Sequence, residues 1–437
     1  MKTTRFILMA IIATAGLAQS PEWRSADAVA RAAIAASPAV RALDARIEAA
    51  REAARSAGAL PNPMAMGGVQ NLNADLSNDP IMTMYMVGAS QTFIPRERRE
   101  SLRDAAGARV AALEAERASL RAELERDARA VWIELASIDA QTGVIENVLG
   151  LGEATVASTR ARYEAGGAIQ ADVIRAQLAQ SELHHRLLAL GGARRATAAS
   201  LAAILGLAPG TSVPNLALEH AYGGLSAPRF APDDDHPALA AVLARAAARE
   251  AEIALARSAT RPEWSIESAW AFRSEMDDMV TLTGRVELPL RRSARIDPAI
   301  REAIAERNAA LEEVEQRRRS LEEMGAIALA VFDEAIEQIR FHDEVLMPQA
   351  RFAFDSTLAA YETGAAGFDA LLGAQIMLVR LGTDTFEFLE RALTARADLT
   401  ALAAGARTIR VGSSRSAPAT SSPSAPTGME SMQESRR

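Results

Sequence analysis

Aliphatic residues form a long periodic seam between about residues 97 and 163. They recur at spacings of three, four and seven residues. The seam consists of Leu113, Leu120, Leu124, Val131, Leu135, Ile138, Ile145, Leu149 and Val156. Helices that pack against partners along their whole length show this heptad spacing. At 1.5 Å per residue such a helix would reach roughly 100 Å, so the pattern predicts a rod instead of a globule.

A second rod is predicted downstream, where the heptad pattern resumes at Ile304. Each rod is followed by a glycine-containing turn and a shorter helix that returns beside it, at about residues 171–205 and 368–404. Antiparallel helices joined by a short turn form such hairpins. Pro348 removes a backbone donor from the second rod, and Gly150 is a poor helix former in the first. These two positions predict a weak point at the same height in both rods.

Alternating apolar and polar residues predict two pairs of β-strands. The clearer pair covers residues 263–272 and 279–288, and the other covers residues 64–70 and 82–93. The period of two gives each strand one apolar face. Tilted strands of about 9 to 11 residues are long enough to cross a membrane. Membrane strands are therefore expected, and an ordinary soluble hairpin is the alternative.

The chain contains two copies of one plan. Residues 163–166, Tyr-Glu-Ala-Gly, are followed 198 residues later by Tyr-Glu-Thr-Gly at 361–364. Each copy begins with a helix, followed by the strand pair, the rod and the return helix. In the first copy this initial helix is predicted over about residues 26–57. A tandem duplication is therefore predicted. It divides into a first repeat at 19–211, a linker at 212–236 and a second repeat at 237–408.

The two ends of the chain differ in composition from the repeats. Residues 1–18 contain a basic start, an apolar stretch and a small-residue cleavage site, which are the features of a secretory signal peptide. An uncleaved anchor is the alternative, but the apolar stretch is shorter than the ~20 residues that span a bilayer. Residues 409–437 are rich in Ser, Pro and Ala and are expected to form a disordered tail. Export is therefore predicted.

Composition narrows the function further. The formal net charge of -8 and the pI of about 5.4 give no sign of a basic face, so no nucleic-acid partner is expected. The chain has no Cys, which excludes disulfides, thiolate metal sites and cysteine nucleophiles. No nucleophile elbow, phosphate loop or zinc-binding helix motif is present. We therefore expect no catalytic site, no cofactor and no resident metal.

The strands also predict an assembly. One chain supplies four strands of membrane length, whereas the smallest closed barrels have about eight. An open sheet edge is not tolerated in lipid, so several chains must share one barrel. The rods would then pack seam to seam into a helical tube outside the membrane. The predicted architecture is a continuous pore through the membrane and the tube.

Four short segments carry a resemblance to a known family. They are residues 163–166 and 361–364, residues 346–350 (Leu-Met-Pro-Gln-Ala) and residues 59–63 (Ala-Leu-Pro-Asn-Pro). Over nearly its whole mature length the chain resembles the TolC-like outer-membrane efflux proteins. The resemblance implies a mainly α homotrimer with a long periplasmic helical barrel and a shared 12-stranded outer-membrane β-barrel, four strands from each chain. It also implies a periplasmic adaptor protein and an inner-membrane pump, with the RND type favoured, as partners.

Two segments indicate a branch of this family. Residues 60–64 and 87–95 most resemble the CzcC-like and CusC-like metal-efflux type, which implies heavy-metal cations as cargo and a role in heavy-metal resistance. A drug-efflux channel or a type I secretion channel is the alternative within the family. Outside it, a soluble periplasmic coiled-coil scaffold would account for the rods. The repeated strand pairs with apolar faces disfavour that scaffold.

The resemblance also implies roles at the periplasmic tip. The two tyrosine turns would form a gate there, with Tyr361 as the gate tyrosine and Asp369, Asp172 and Tyr163 beside it. Carboxylates that line the lumen would favour cations, although either Asp could instead stabilise the start of its helix. The family's gate arginine is absent because Ala366 stands at its position, so its salt-bridge lock is not expected. Glycine turns permit close backbone approach of adaptor helices. The expected docking turns are Gly166, Gly167 and Gly364.

Five methionines alternate along the first strand pair. They are Met64, Met66, Met82, Met84 and Met86. Thioethers are soft ligands suited to Cu(I) or Ag(I), so a track that faces the lumen would fit metal export. Aligning Pro95 with Pro289 places the methionines on the apolar face instead, where flexible side chains face lipid. The lipid-facing orientation is favoured, and the alternation by itself leaves both orientations open.

Overall fold

The computed structural model describes residues 25–73, 81–218, 225–228 and 234–403. The predicted signal peptide at 1–18 and the predicted tail at 409–437 lie outside the described residues. Within the described parts, long helices predominate and four strands form one antiparallel sheet. The prediction of a mainly α chain with a small β portion is therefore confirmed.

The described elements follow the predicted order. The helices are α1 (Ala26–Ala36), α2 (Pro38–Ser56), α3 (Arg96–Glu164), α4 (Gln170–Ile204), α5 (Pro237–Ser258), α6 (Asp297–Phe341), α7 (Met347–Glu362) and α8 (Phe368–Ala403). The strands are β1 (Met64–Gln70), β2 (Met84–Phe93), β3 (Glu263–Arg273) and β4 (Met279–Glu287). A helical segment, a strand pair, a long helical rod and a return helix thus occur twice in the same order. The duplication itself and the repeat boundaries stay predictions.

The helix predicted over about residues 26–57 is broken, so that prediction is wrong in one respect. Ser37 separates α1 from α2 and has an extended backbone, with φ -65° and ψ 119°. A residue that precedes proline is disfavoured in the α conformation, and Pro38 follows here as the first residue of α2. The Ser37 hydroxyl accepts a hydrogen bond from the Val40 N–H at 3.3 Å. The serine therefore caps the second helix while the proline ends the first.

The two rods differ at the height where the sequence predicts a weak point. In the first copy α3 continues through Gly150 as one helix of 69 residues, so the rod is not broken there. One glycine costs about 1 kcal/mol in a helix, which is little against the packing of a long rod. In the second copy a π-helical turn at His342–Leu346 separates α6 from α7. Pro348 lies in the first turn of α7, where no backbone donor is needed, so the rod is interrupted without ending.

The rods are held by helix packing along their length. Helix α3 contacts α1, α2, α4, α5 and α8, and α6 packs against α5 and α8. The predicted seam residues of α3 are all buried or half-buried. Fully enclosed alanines such as Ala136 and Ala335 let neighbouring helices approach closely. Across the described ranges, no helix carries an apolar stretch long enough to cross a membrane.

The four strands form one sheet in the order β1-β2-β3-β4, with every pair antiparallel. The pairing of β2 with β3 joins the two predicted hairpins. Phe93 stacks on Trp264 across this pair, with ring centroids 4.2 Å apart. Strands β1 and β4 are the edges, and within the described ranges each is paired on one side only. Directly opposite residues in a sheet point to the same side, so this register fixes which side chains share a face.

Candidate functional site

The two tyrosine turns adopt the same glycine-terminated helix end. At the first turn the Gly167 N–H donates to the Arg162 carbonyl at 2.8 Å, and Gly166 has a left-handed φ of +76°. At the second turn the Ala365 N–H donates to the Ala360 carbonyl at 2.8 Å, and Gly364 has a φ of +82°. This is the Schellman arrangement, in which the glycine adopts a conformation that other residues disfavour. The turn glycines are therefore needed to reverse the chain between α3 and α4 and between α7 and α8.

Tyr361 links the two halves of the chain at these turns. Its side chain is 5% exposed, and its hydroxyl lies 3.4 Å from the Thr159 Oγ1 of α3. The Arg162 guanidinium lies over the Tyr361 ring, with Cζ 4.4 Å from the ring centroid. The same guanidinium donates a hydrogen bond from Nη1 to the Tyr361 carbonyl. On the other side the ring meets the edge of Phe368 at 6.0 Å. Tyr361 is thus held by α3 and by α8 at once.

Asp172 and Asp369 are brought together by one cation. Arg175 Nη1 donates to the two carboxylate oxygens of Asp369 at 2.9 and 3.1 Å and lies 3.6 Å from the Asp172 Oδ1. Both acids stand in the first turn of their helices, where an anion is stabilised by the helix dipole. Asp172 also accepts a hydrogen bond from the Ile169 N–H at 3.4 Å. Within one chain the carboxylates are therefore paired with a cation instead of standing free.

The remaining predicted tip residues lie on the surface. Tyr163 is 45% exposed, in contrast to its buried counterpart Tyr361. A Cβ at Gly166 would have no neighbour within 4 Å, and one at Gly364 would lie 3.8 Å from the Arg162 Nη2. Space alone therefore permits side chains at both turns. The glycine conformation, and not crowding within the chain, is what restricts these positions.

Sequence reasoning missed the two arginines of the tip. Ala366 stands at the position of the family's gate arginine, and no other arginine is predicted to have a role at the tip. In the structure, Arg175 and Arg162 of the first copy contact the second copy. The positions 198 residues after these arginines are Gly373 and Ala360. At both positions an arginine in the first copy corresponds to a small residue in the second copy, and this difference between the copies could have marked the two arginines. Their partners could not be read from that signal, because the Arg162 and Tyr361 pair is separated by 199 residues.

A cleft farther along the rods contains partly buried ionisable groups. It has a volume of about 400 Å³ and is lined by residues of α3, α6 and α8 together with His236 and Ala238 at the start of α5. Burial raises the pKa of Glu390 and the pKa of Asp398 and lowers the pKa of His236. Over the part of the chain that the structure describes, no three His, Asp or Glu side chains are grouped to hold a metal ion. The cleft therefore affects stability with pH and shows no metal-binding arrangement.

The sheet has one apolar face. It consists of Val69, Tyr85, Val87, Phe93, Trp264, Ile266, Trp270, Phe272, Val280, Leu282 and Val286. Nearly all of these side chains are exposed in the single chain. Proteins in water rarely leave a large contiguous apolar surface uncovered. This face is therefore one that meets an apolar environment.

The opposite face of the sheet is polar and carries the methionines. Glu267 and Arg285 lie on it, with Oε2 and Nη2 3.6 Å apart. Met84 lies opposite Arg273 and Met86 opposite Ala271, on this same face. The expectation that the methionines belong to the apolar face is therefore wrong. Alignment on the two prolines shifts the strand by one residue, and such a shift transfers every side chain to the other face.

A family model matches part of the chain. Residues 29–207 match the model of the outer membrane efflux proteins. Over these residues the chain is similar to the outer membrane efflux protein family. The family description names efflux at the outer membrane. This agrees with the predicted location and with the prediction that the protein is a transport protein and not an enzyme. Among curated proteins, none matches the chain in sequence.

Solved structures share the fold of this protein over most of the chain. The outer membrane protein VceC from Vibrio cholerae has a TM-score of 0.72 at 19% identity and covers 86% of this chain and 95% of its own. CusC has a TM-score of 0.74 at 17% identity, with 89% and 95% covered. The outer-membrane channel OprN has a TM-score of 0.75 at 16% identity, with 87% and 90% covered. The helical rods and four-stranded sheet are therefore the fold of these channel proteins.

Proposed function

We propose that three copies of this chain form a passive outer-membrane exit channel of a tripartite efflux system. An inner-membrane pump, with the RND type favoured, would deliver cargo through a periplasmic adaptor protein that docks on the tyrosine turns. The observation that carries the proposal is the sheet, which combines an exposed apolar face with two open edges. Similarity to the outer membrane efflux proteins supplies the efflux role at the outer membrane.

The open edges favour a barrel shared between chains. Among the strands that the structure describes, none pairs with the outer edges of β1 and β4. In lipid an unpaired backbone group costs several kcal/mol, so each edge needs a partner strand. The edge of β4 in one copy can pair with β1 of the next. Three copies then close a barrel of 12 strands, a size within the known range of outer-membrane barrels.

Uncovered apolar residues on the helices favour further contacts between chains or with the adaptor. In α4, Ile174, Leu178 and Leu188 are all exposed, and Leu188 is 74% exposed. In α7, Phe352 is likewise exposed. Large apolar side chains at helical spacing indicate a face that packs against another helix. Rods placed side by side would cover these residues and close the wall of a tube.

The tip contacts support a gate that is closed in this conformation. Arg162 of α3 holds Tyr361 of α7, so the two rods are tied together at their ends. Arg175 of α4 pairs with Asp369 of α8, which ties the two return helices to each other. Breaking these links would free the α7–α8 turn to move away from α3. Because the links are few and partly exposed, binding of an adaptor could supply the energy to release them.

Heavy-metal cations are the favoured cargo, because the methionines lie on the polar face of the sheet, which would line the pore. A drug-efflux or type I secretion channel remains the alternative within the family. A soluble periplasmic scaffold is disfavoured, because it would leave the apolar face of the sheet in water.

The proposal is tested by fractionating expressing cells and measuring the native mass of the detergent-solubilised protein. We expect recovery in the outer membrane as a trimer. A soluble monomer or dimer in the periplasm would contradict the proposal and would favour the scaffold.

A further inference from the structure

Five methionines share the polar face of the sheet. They are Met64, Met66, Met84, Met86 and Met279, named together the methionine face. Their common side follows from the register: Gly68, Met86, Ala271 and Met279 form one row across the four strands. Met82 precedes β2 and is not part of this set.

The outer methionines of this set, Met64 and Met279, are exposed, whereas Met66, Met84 and Met86 are half-buried. The sheet already gathers its aromatic and branched apolar residues on the opposite face, where an apolar environment would cover them. The side of the sheet that carries the methionine face also holds Glu267, Arg285, Thr281 and Thr283. Met64 is 64% exposed and Met279 is 41% exposed, so neither fills a core. Thioethers on a face that also holds charged and hydroxyl side chains call for a chemical explanation.

The register places two of the thioethers within reach of each other. Met66 lies opposite Gly88, and Met86 lies opposite Gly68. Met66 and Met86 are therefore diagonal neighbours, which lie about 7 to 8 Å apart in an antiparallel pair. A Cβ at Gly68 would have no neighbour within 4 Å, so the position beside Met86 is open, whereas Gly88 is closely approached by Ser268 and Ala269 of β3. Methionine has three rotatable bonds, so the two sulfurs can converge on one ion. Met84 follows on the same face, about 7 Å farther along the strand.

The donor set selects the class of ion. Thioether sulfur is a soft ligand that prefers Cu(I) over hard cations, which take oxygen ligands instead. Ag(I) is also a soft monovalent cation and serves as a probe that does not change oxidation state in air. Neutral sulfur ligands leave the ion with its positive charge. A pore requires such weak and repeated binding, since an ion must be able to leave each site.

We propose that the methionine face binds a soft monovalent cation, Cu(I) or Ag(I), with Met66 and Met86 as the central ligand pair. The statement that these ligands line a pore rests on the proposed function. Binding of the ion is independent of the proposed function, because it requires only the methionines of the sheet.

The test is Ag(I) binding to the purified full-length protein in detergent, followed by NMR of methyl-labelled methionines and by calorimetry. We expect Ag(I) to shift the methyl signals of Met66 and Met86, while Na⁺ leaves them unchanged. The double variant Met66→Leu with Met86→Leu keeps the side-chain volume and removes both sulfurs. It should weaken Ag(I) binding by about tenfold or more.

The matched control is Met347→Leu with Met377→Leu, which removes two sulfurs from α7 and α8, away from the sheet. Equal Ag(I) affinity in the sheet variant and the control, or shifts spread evenly over all methionines, would overturn the proposal. The native mass separates the two ideas. A trimer without Ag(I) binding refutes the metal site alone, whereas Ag(I) binding by a soluble monomer refutes the channel and leaves the site standing.

Discussion

Replacement of Arg162 by Ala should open the proposed gate. The change removes the cation from the Tyr361 ring and the hydrogen bond to the Tyr361 carbonyl. A cation–π contact contributes about 0.5 to 2 kcal/mol, and a hydrogen bond from a charged group about 1.5 to 3 kcal/mol. The guanidinium is partly exposed, so water replaces part of the loss. We therefore expect about 2 kcal/mol, which corresponds to an open population about 30-fold higher.

The assay is single-channel conductance in a planar bilayer, with open probability as the readout. Arg160→Ala is the control, because Arg160 is an exposed arginine on the same helix and its loss changes the net charge equally. We expect the increase for Arg162→Ala and none for the control. An unchanged open probability in Arg162→Ala, or the same increase in both variants, would refute the role assigned to the Arg162 and Tyr361 contact.

Three further variants test other parts of the structure. Gly58→Ala should lower the free energy of unfolding, measured in denaturant melts, by about 2 kcal/mol or more. The reason is that φ is +68° and that the new Cβ would lie 2.4 Å from the Arg99 carbonyl oxygen. Gly210→Ala is the control, and it should lower the free energy of unfolding by less because the space around Gly210 is open. Burial raises the pKa of Glu390, so its folded carboxylate costs stability above that pKa. Glu390→Gln should therefore raise the melting temperature at pH 8, with the gain vanishing below about pH 4, where the acid is protonated in both states. Asp369→Asn should change open probability less than Arg162→Ala, because this ion pair is exposed and worth at most about 1 kcal/mol.

The elements of the fold are readable from the sequence because they are long and strongly periodic. The heptad seam of α3 and the alternation in β3 and β4 gave bounds that agree with the structure within a few residues. The break at Ser37 also has a local sequence signal, since a serine before a proline often starts a helix. The sequence prediction missed this break because the apolar pattern continues through both helices.

The candidate site was predictable in its residue types but not in its contacts. Turn glycines and Tyr361 follow from the repeated motif. The contact of Arg162 with that tyrosine depends on how two rods lie side by side, which no local pattern encodes. The methionine face likewise required the pairing of β1 with β2, because a change of one residue in register exchanges the two faces of a strand.

The central claim is that β4 of one copy pairs with β1 of the next. The chain has no Cys, so disulfides can be introduced without background. Gly67→Cys in β1 would be combined in turn with Val280→Cys, Leu282→Cys and Gly284→Cys in β4, all on the apolar face. Under oxidation we expect at least one combination to give covalent dimers and trimers on denaturing gels, whereas Gly67→Cys with Thr281→Cys, on opposite faces, should not. Monomers in every combination would contradict the shared barrel.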